Sequence, residues 1–185
     1  MGGQMGQHLR GMLNNRKVQV VAVCDVDRAK RESAKRTVES SYAQNMPSGT
    51  YKGCDAYNEY EEICNRADID AVFNCTPDHW HVPINLAAIK NGKDVFCQKP
   101  LTLTIHEGQL LRDATKQYGT IFQTGSQQRS ERAFRTAAEI VRNGWIGKVK
   151  TCYAKLGQFA APQVLPEQPI PDGFDYDRWL GPTPW

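Results

Sequence analysis

Residues 71–101, AVFNCTPDHWHVPINLAAIKNGKDVFCQKPL, restrict the fold more than any other part of the chain. Residues 70–75 form a β-rich apolar run that Thr76-Pro77-Asp78 stops with turn chemistry. Pro83 stands near the start of the next helix, where the first backbone N–H groups have no intrahelical partner to lose. Ile84, Leu86, Ala87, Ala88 and Ile89 give that helix a broad apolar face suited to packing on a sheet. Asn91-Gly92 closes it, and residues 94–97 begin a second strand. Strands joined by a crossover helix of this length run parallel, so the stretch is a βαβ unit. In open parallel sheets ligands sit beyond the carboxyl ends of the strands. Both polar clusters, Thr76 to His81 and Gln98-Lys99-Pro100, fall at such ends, and a ligand site is expected there.

At 185 residues the chain has room for one large domain, or one domain and part of another. A net charge of +3 is too small to point to nucleic acid or a membrane surface, and neither is expected as a partner. The most basic segment, RAKRESAKR at 28–36, carries Glu32 four residues before Arg36, a favourable helical pair, and reads as a solvated helix face. The cysteines are Cys24, Cys54, Cys64, Cys75, Cys97 and Cys152, with no C-x-x-C pair. Cys24, Cys75 and Cys97 lie in apolar strand runs, so they read as small buried hydrophobes of a reducing, cytoplasmic compartment. No stretch approaches the roughly 18 apolar residues of a membrane helix. No signal peptide is visible, although an export signal ahead of Met1 is left open.

The opening residues Met1 to Leu9 (MGGQMGQHL) read as a glycine-rich turn entering a helix. Such a turn lets the backbone approach a pyrophosphate, which the free N–H groups and dipole of the helix then hold. Two registers of G-x-G-x-x-G fit. Gly3 and Gly6 are the second and third glycines with Met1 at the first, or Gly2 is the second and Met5 replaces the third. Either way Gly2, Gly3, Gln4, Met5 and Gly6 are the phosphate-side candidates. The strand that should precede such a turn is absent, and the pattern predicts that Met1 is an internal methionine of a longer reading frame.

The apolar run at 18–24 (VQVVAVC) ends in Asp25, about 20 residues beyond the glycines. A dinucleotide fold places an acidic residue there to hydrogen-bond the adenosine ribose. Its carboxylate also repels a 2′-phosphate, which favours NAD over NADP, with Arg28 acting partly in the other direction. The plainer alternative for Asp25 is a helix cap. Further along, residues 27–44 predict a polar helix and 45–55 a surface loop. Tyr57 marks a short strand and 60–65 a helix. Residues 104–118 predict a helix ended by Gly119, 121–124 a strand, and 131–143 a helix stopped at Gly144. Residues 148–156 (KVKTCYAKL) alternate as a strand, and 159–185 read as a long loop crossing a domain surface.

Taken together these motifs resemble the Gfo/Idh/MocA oxidoreductases, the family of glucose–fructose oxidoreductase and inositol 2-dehydrogenase. The resemblance rests on the glycine-rich opening, Asp25, Thr76-Pro77-x-x-x-His81, and Gln98-Lys99-Pro100 in place of the family's usual Glu-Lys-Pro. Gly125-Ser126-Gln127-Gln128-Arg129 and Gly144-Trp145-Ile146-Gly147-Lys148 follow in order. It implies an α/β fold: a Rossmann-like parallel sheet lacking its first strand over residues 1–124, and the start of a second α+β domain over 125–185. It also implies a nicotinamide cofactor, NAD with NADP as the alternative, and a small sugar or polyol substrate. The full-length protein is expected to be a homo-oligomer.

Lys99 takes the family's key lysine position. A buried lysine there would hydrogen-bond the reacting hydroxyl, its pKa lowered by desolvation; the plainer alternative is a surface lysine before a turn proline. Gln98 keeps hydrogen-bonding capacity without a negative charge beside Lys99. His81 and Arg129 are expected near cofactor or substrate, with Thr76 and Pro77 lining the turn. Asp78, His79 and His81 lack the further ligands a zinc site needs, and no metal is expected. The family's second-domain Asp and His are expected beyond Trp185, and the chain by itself is expected to be inactive. Two other readings stand beside the dehydrogenase: a glycosidase of the related NAD-using type, and a non-catalytic NAD(P)-binding regulatory protein.

Overall fold

The computed structural model describes residues 3–45, 51–157 and 165–183. Contacts divide the chain into two compact units, Met1–Gly125 with Ile170–Trp185, and Ser126–Pro169. The first holds helix α1 (Gly3–Leu13), strand β1 (Ala22–Cys24), α2 (Arg28–Asn45), β2 (Asp55–Tyr57), α3 (Tyr60–Cys64) and β3 (Ala71–Asn74). A 3-10 turn (Asp78–Trp80), α4 (His81–Lys90), β4 (Asp94–Gln98), α5 (Ile105–Tyr118) and β5 (Phe122–Gly125) follow.

The βαβ unit forms as its periodicity requires. β3, β4 and β5 pair in parallel in the order β3-β4-β5. Their register sets Phe73 opposite Phe96, whose rings stack 4.2 Å apart. Under them lie Val82, Ala88 and Ile89 of α4, Val95 and Cys97 of β4, and Leu111 of α5. α5 begins at a capping box: the Thr104 hydroxyl accepts from the Glu107 N–H, and the Glu107 carboxylate accepts from the Thr104 N–H. It ends at Gly119, whose φ of 67° is the left-handed conformation that closes a helix.

The second parallel sheet has only β1 and β2, three residues each. The run at 18–24 therefore becomes a strand over Ala22–Cys24 alone, because β2 offers no more residues to pair with. Leu9 of α1, Val23 of β1, Ala34, Val38 and Tyr42 of α2, and Cys54 form its core. In the order 3-2-1-4-5-6 these two sheets supply positions 3-2 and 4-5-6, and no described strand stands between β1 and β3. α1 joins the halves. Its Leu9 enters the first core, while the His8 ring lies 5.0 Å from that of Phe73 and 6.0 Å from that of Phe96.

The carboxyl-terminal residues return to this same unit. Phe174 forms an antiparallel bridge with Asp27, the Arg28 N–H donates to the Gly173 carbonyl (2.9 Å), and the Asp175 N–H donates to the Val26 carbonyl (3.0 Å). A short helix α7 (Tyr176–Leu180) follows, which the Pro- and Gly-rich composition hid. The expected second domain at 125–185 therefore differs at its end, since 170–183 packs on the first unit through these backbone bonds.

In the second unit a 3-10 turn (Gln127–Ser130) leads into α6 (Arg132–Arg142), and Gly144 at φ 74° ends the helix as expected. The strand expected at 148–156 does not form. Residues 151–157 are irregular and exposed, and no described strand offers them a partner, without which alternation alone cannot make a sheet.

Candidate functional site

The site is assembled where β1, β3 and β4 end. Gln98, the last residue of β4, is 5% exposed and holds three neighbours. Its Oε1 accepts from the Lys99 N–H (2.8 Å); its Nε2 donates to Gln4 Oε1 (3.1 Å) and lies 3.3 Å from His8 Nε2. The first turn of α1 and the Lys99 position are thus side by side. Gly125 on β5 leaves room for this arrangement. A Cβ there would come within 2.7 Å of Gln98 Oε1 and 3.0 Å of the Phe96 ring.

Lys99 itself is exposed, joined to Pro100 by a cis peptide bond. The expected burial of this lysine is therefore not provided by the chain's own packing, because Lys99 stands just past the strand end. His81, by contrast, is 1% exposed. Its Nδ1 faces the Pro100 carbonyl (2.5 Å) and its Nε2 the Thr76 carbonyl (3.0 Å), so the ring ties the turn after β3 to the turn after β4. As placed, the ring acts on the two turns, and a ligand would meet it only through their backbones.

Two residues missed in the sequence complete this corner. Asn74 is buried; its Oδ1 accepts from the Thr76 N–H (3.2 Å) and hydroxyl (2.8 Å), and its Nδ2 donates to the His81 carbonyl (3.2 Å) and to Asn85 Oδ1 (2.8 Å). An Asn in an apolar strand and another inside an apolar helix face were the available signal. Polar groups in such places must find each other.

At the end of β1, Asp25 is half-buried, and its Oδ1 accepts from the Asp27 N–H (2.9 Å). The cap of α2 is Asp27, whose Oδ1 accepts from the N–H groups of Ala29 and Lys30. A hydrogen bond from Lys30 holds the Asp27 carboxyl below its usual range. The capping alternative for Asp25 is thus filled by a neighbour. Arg31 Nη1 donates to the Asp25 carbonyl (2.5 Å) and to Asn58 Oδ1 (3.1 Å), and Asn58 Nδ2 donates to Asp175 Oδ2 (2.7 Å).

α1 starts at Gly3 with no acidic residue in its first turn, and the N–H groups of that turn, which have no intrahelical partner, suit an anion. Nothing lies within 4 Å of where a Cβ would stand on Gly6, which leaves that flank open to a ligand. Gln4 is exposed and Met5 half-buried on the same turn; Gly2 lies outside the described residues. Thr76 is half-buried and Pro77 exposed at the end of β3. Arg129 is exposed in the second unit, and its N–H donates to the Ser126 carbonyl (3.1 Å). Burial, with Cys97 adding to it, pushes the Cys75 thiol up to about 11, so this cysteine beside the turn is no thiolate nucleophile near neutral pH.

A helix N-terminus, an acidic strand end and a lysine at a parallel-strand terminus together have the chemistry to receive a dinucleotide. Known proteins agree. The family model described as an oxidoreductase family with an NAD-binding Rossmann fold matches residues 1–126. Myo-inositol 2-dehydrogenase of Thermotoga maritima is 31% identical over 126 residues, 68% of this chain and 35% of that protein. Glycosyl hydrolase family 109 protein 1 of a Shewanella species is 34% identical over 116 residues, 62% of this chain and 24% of that protein. Among solved structures, myo-inositol 2-dehydrogenase from Lactobacillus plantarum superposes with a TM-score of 0.67 at 31% identity, covering 80% of this chain and 40% of that one. The chain thus spans well under two thirds of the length of each of these relatives. With its matched residues, its parallel sheets and its strand-end site, the chain belongs to the Gfo/Idh/MocA family of oxidoreductases with an NAD-binding Rossmann fold.

Proposed function

We propose that this chain supplies the dinucleotide-binding part of an NAD(P)-dependent dehydrogenase that oxidises a hydroxyl of a sugar or polyol, or runs the reverse reduction. The observation that carries the reading is the hydrogen bond from Gln98 to Gln4, which joins the first turn of α1 to the strand end bearing Lys99. In this reading the N–H groups at the start of α1 hold the pyrophosphate, Asp25 accepts from the adenosine ribose, and the turns at Thr76-Pro77 and Lys99-Pro100 border the nicotinamide. Bound there, the cofactor supplies hydride transfer. Lys99 exchanges a proton with the reacting hydroxyl. Because Lys99 is exposed, the desolvation that tunes its ammonium has to come with the ligands. Arg129 remains a candidate for contacting substrate or cofactor.

The dehydrogenase relatives favour a polyol of the inositol type. The glycosyl hydrolase relative favours a second reading, in which transient oxidation permits elimination of a glycoside. NADH fluorescence titration tests the shared part: the chain should bind, and Lys99→Ala should keep affinity within about threefold, since the lysine acts on the hydroxyl rather than the phosphates. In a protein extended to the length of these relatives, NADH formation with a polyol panel, abolished in Lys99→Ala, supports the dehydrogenase. Sugar release without net NADH formation selects the glycosidase. A folded chain that binds no NADH sinks both.

A further inference from the structure

We propose that His8 is a positioning residue whose Nε2 lone pair, with the ring proton on Nδ1, fixes the Gln98 amide and through it the backbone at Lys99. This rests on the dinucleotide reading for its functional consequence, though not for its geometry. The Lys99 N–H can only donate, and it lies 2.8 Å from Gln98 Oε1, so that end of the amide is the oxygen. The other end is therefore NH2, and it faces Gln4 Oε1 at 3.1 Å and His8 Nε2 at 3.3 Å. An NH2 group against a ring nitrogen requires a lone pair there, which a neutral imidazole offers on one nitrogen and an imidazolium on neither. The ring is steadied by Phe73 at 5.0 Å and Phe96 at 6.0 Å, on neighbouring strands. Around the Gln98 amide the space is closed by Gly125, where even a methyl group would collide with Oε1.

Protonating His8 would set two donors against each other and turn the Gln98 amide away from the Lys99 N–H. Among the described residues, the groups found against the ring are Phe73 of β3, Phe96 and Gln98 of β4, none of them ionisable. The charged side chains nearest along these elements are Lys99, which follows Gln98, and Arg10 on α1, both exposed. Replacing Gln98 by Glu reverses the requirement, because a carboxylate oxygen in the place of NH2 calls for an N–H on the ring.

Long-range proton–nitrogen NMR spectra of the histidine rings test this without any cofactor. At about pH 8 His8 should show an unprotonated Nε2 and a protonated Nδ1, and in Gln98→Glu the Nε2 should carry a proton. An Nε2–H tautomer in the unsubstituted protein, or a His8 spectrum unmoved by Gln98→Glu, overturns the proposal. NADH titration gives the second arm. His8→Phe keeps the ring stack and loses the acceptor, and should bind about fivefold more weakly. His8→Gln puts an amide oxygen at the Nε2 position and should recover to within about twofold of the unsubstituted protein. Equal weakening by both variants would reduce His8 to packing and overturn the proposal. A protein with the expected tautomers that binds no NADH supports the pairing and refutes the dinucleotide reading instead.

Discussion

The two halves of the first unit solve the same problem with different means. The β3-β4-β5 half is built from four- and five-residue strands, a capped α5, and a polar corner in which Asn74, Thr76 and His81 all find partners. The β1-β2 half has two three-residue strands with one partner each, too little for a sheet to stand on. It relies on α1 and α2 for apolar packing and on a segment from far along the chain, fastened by Asn58 to Asp175 and by Arg28 to Gly173. Sequence-local stability in one half and borrowed stability in the other imply that the two should respond differently to substitution.

Ile89→Ala should have the largest effect. The side chain is fully buried in the three-stranded half, and its truncation should cost about 3 kcal/mol in urea denaturation. A loss below about 1 kcal/mol would show that this half is not the better packed one. Gly181→Ala comes next. Its φ of 57° and a clash at 2.5 Å with the Trp80 ring should displace the terminal segment at a cost of about 2 kcal/mol. Hydrogen exchange should then accelerate at the Arg28 and Asp175 amides while those of β4 stay protected. Equal acceleration in both places would erase the distinction between the halves. Thr104→Ala removes the capping hydroxyl of α5 and should cost about 1 kcal/mol, with Thr104→Ser restoring most of it.

The smallest effect near neutral pH is shared by both halves. Burial pushes the thiols of Cys54, Cys64 and Cys75 up to about 11 and that of Cys24 up to about 12, from the ordinary 9.0 of a free thiol. A thiol raised in the folded chain contributes stability that is fully present below 9.0 and lost as pH climbs toward its folded value. The urea midpoint should therefore be flat in this respect up to pH 9.0 and fall above it. A midpoint that rises through that window would contradict the burial of these thiols.

Much of this was legible in the sequence because it is local. Strand length, helix face and turn chemistry at 71–101 lie within a few residues of each other, and Asp25 is found by spacing from the glycines. Pairing is not local. Residues 148–156 alternate as a strand does, yet alternation cannot supply a partner. The link from His8 to Gln98 spans 90 residues and that from Asn58 to Asp175 spans 117, distances over which no periodicity speaks. Burial of Lys99 was expected from its chemistry, whereas its exposure follows from its position one residue beyond a strand.

The return of 170–183 to the first unit has a consequence for how such a protein can be taken apart. Because the chain leaves this unit after Gly125 and rejoins it at Ile170, the intervening segment is an insertion with both ends tethered to one body. A cut after Gly125 would retain every described strand and still strip the fastening from Asn58, Trp80 and Arg28. Splicing a linker one quarter as long between the same two points would change the closure entropy by only about 1 kcal/mol. The second unit is thus the exchangeable cassette, and the terminal residues are part of the chassis.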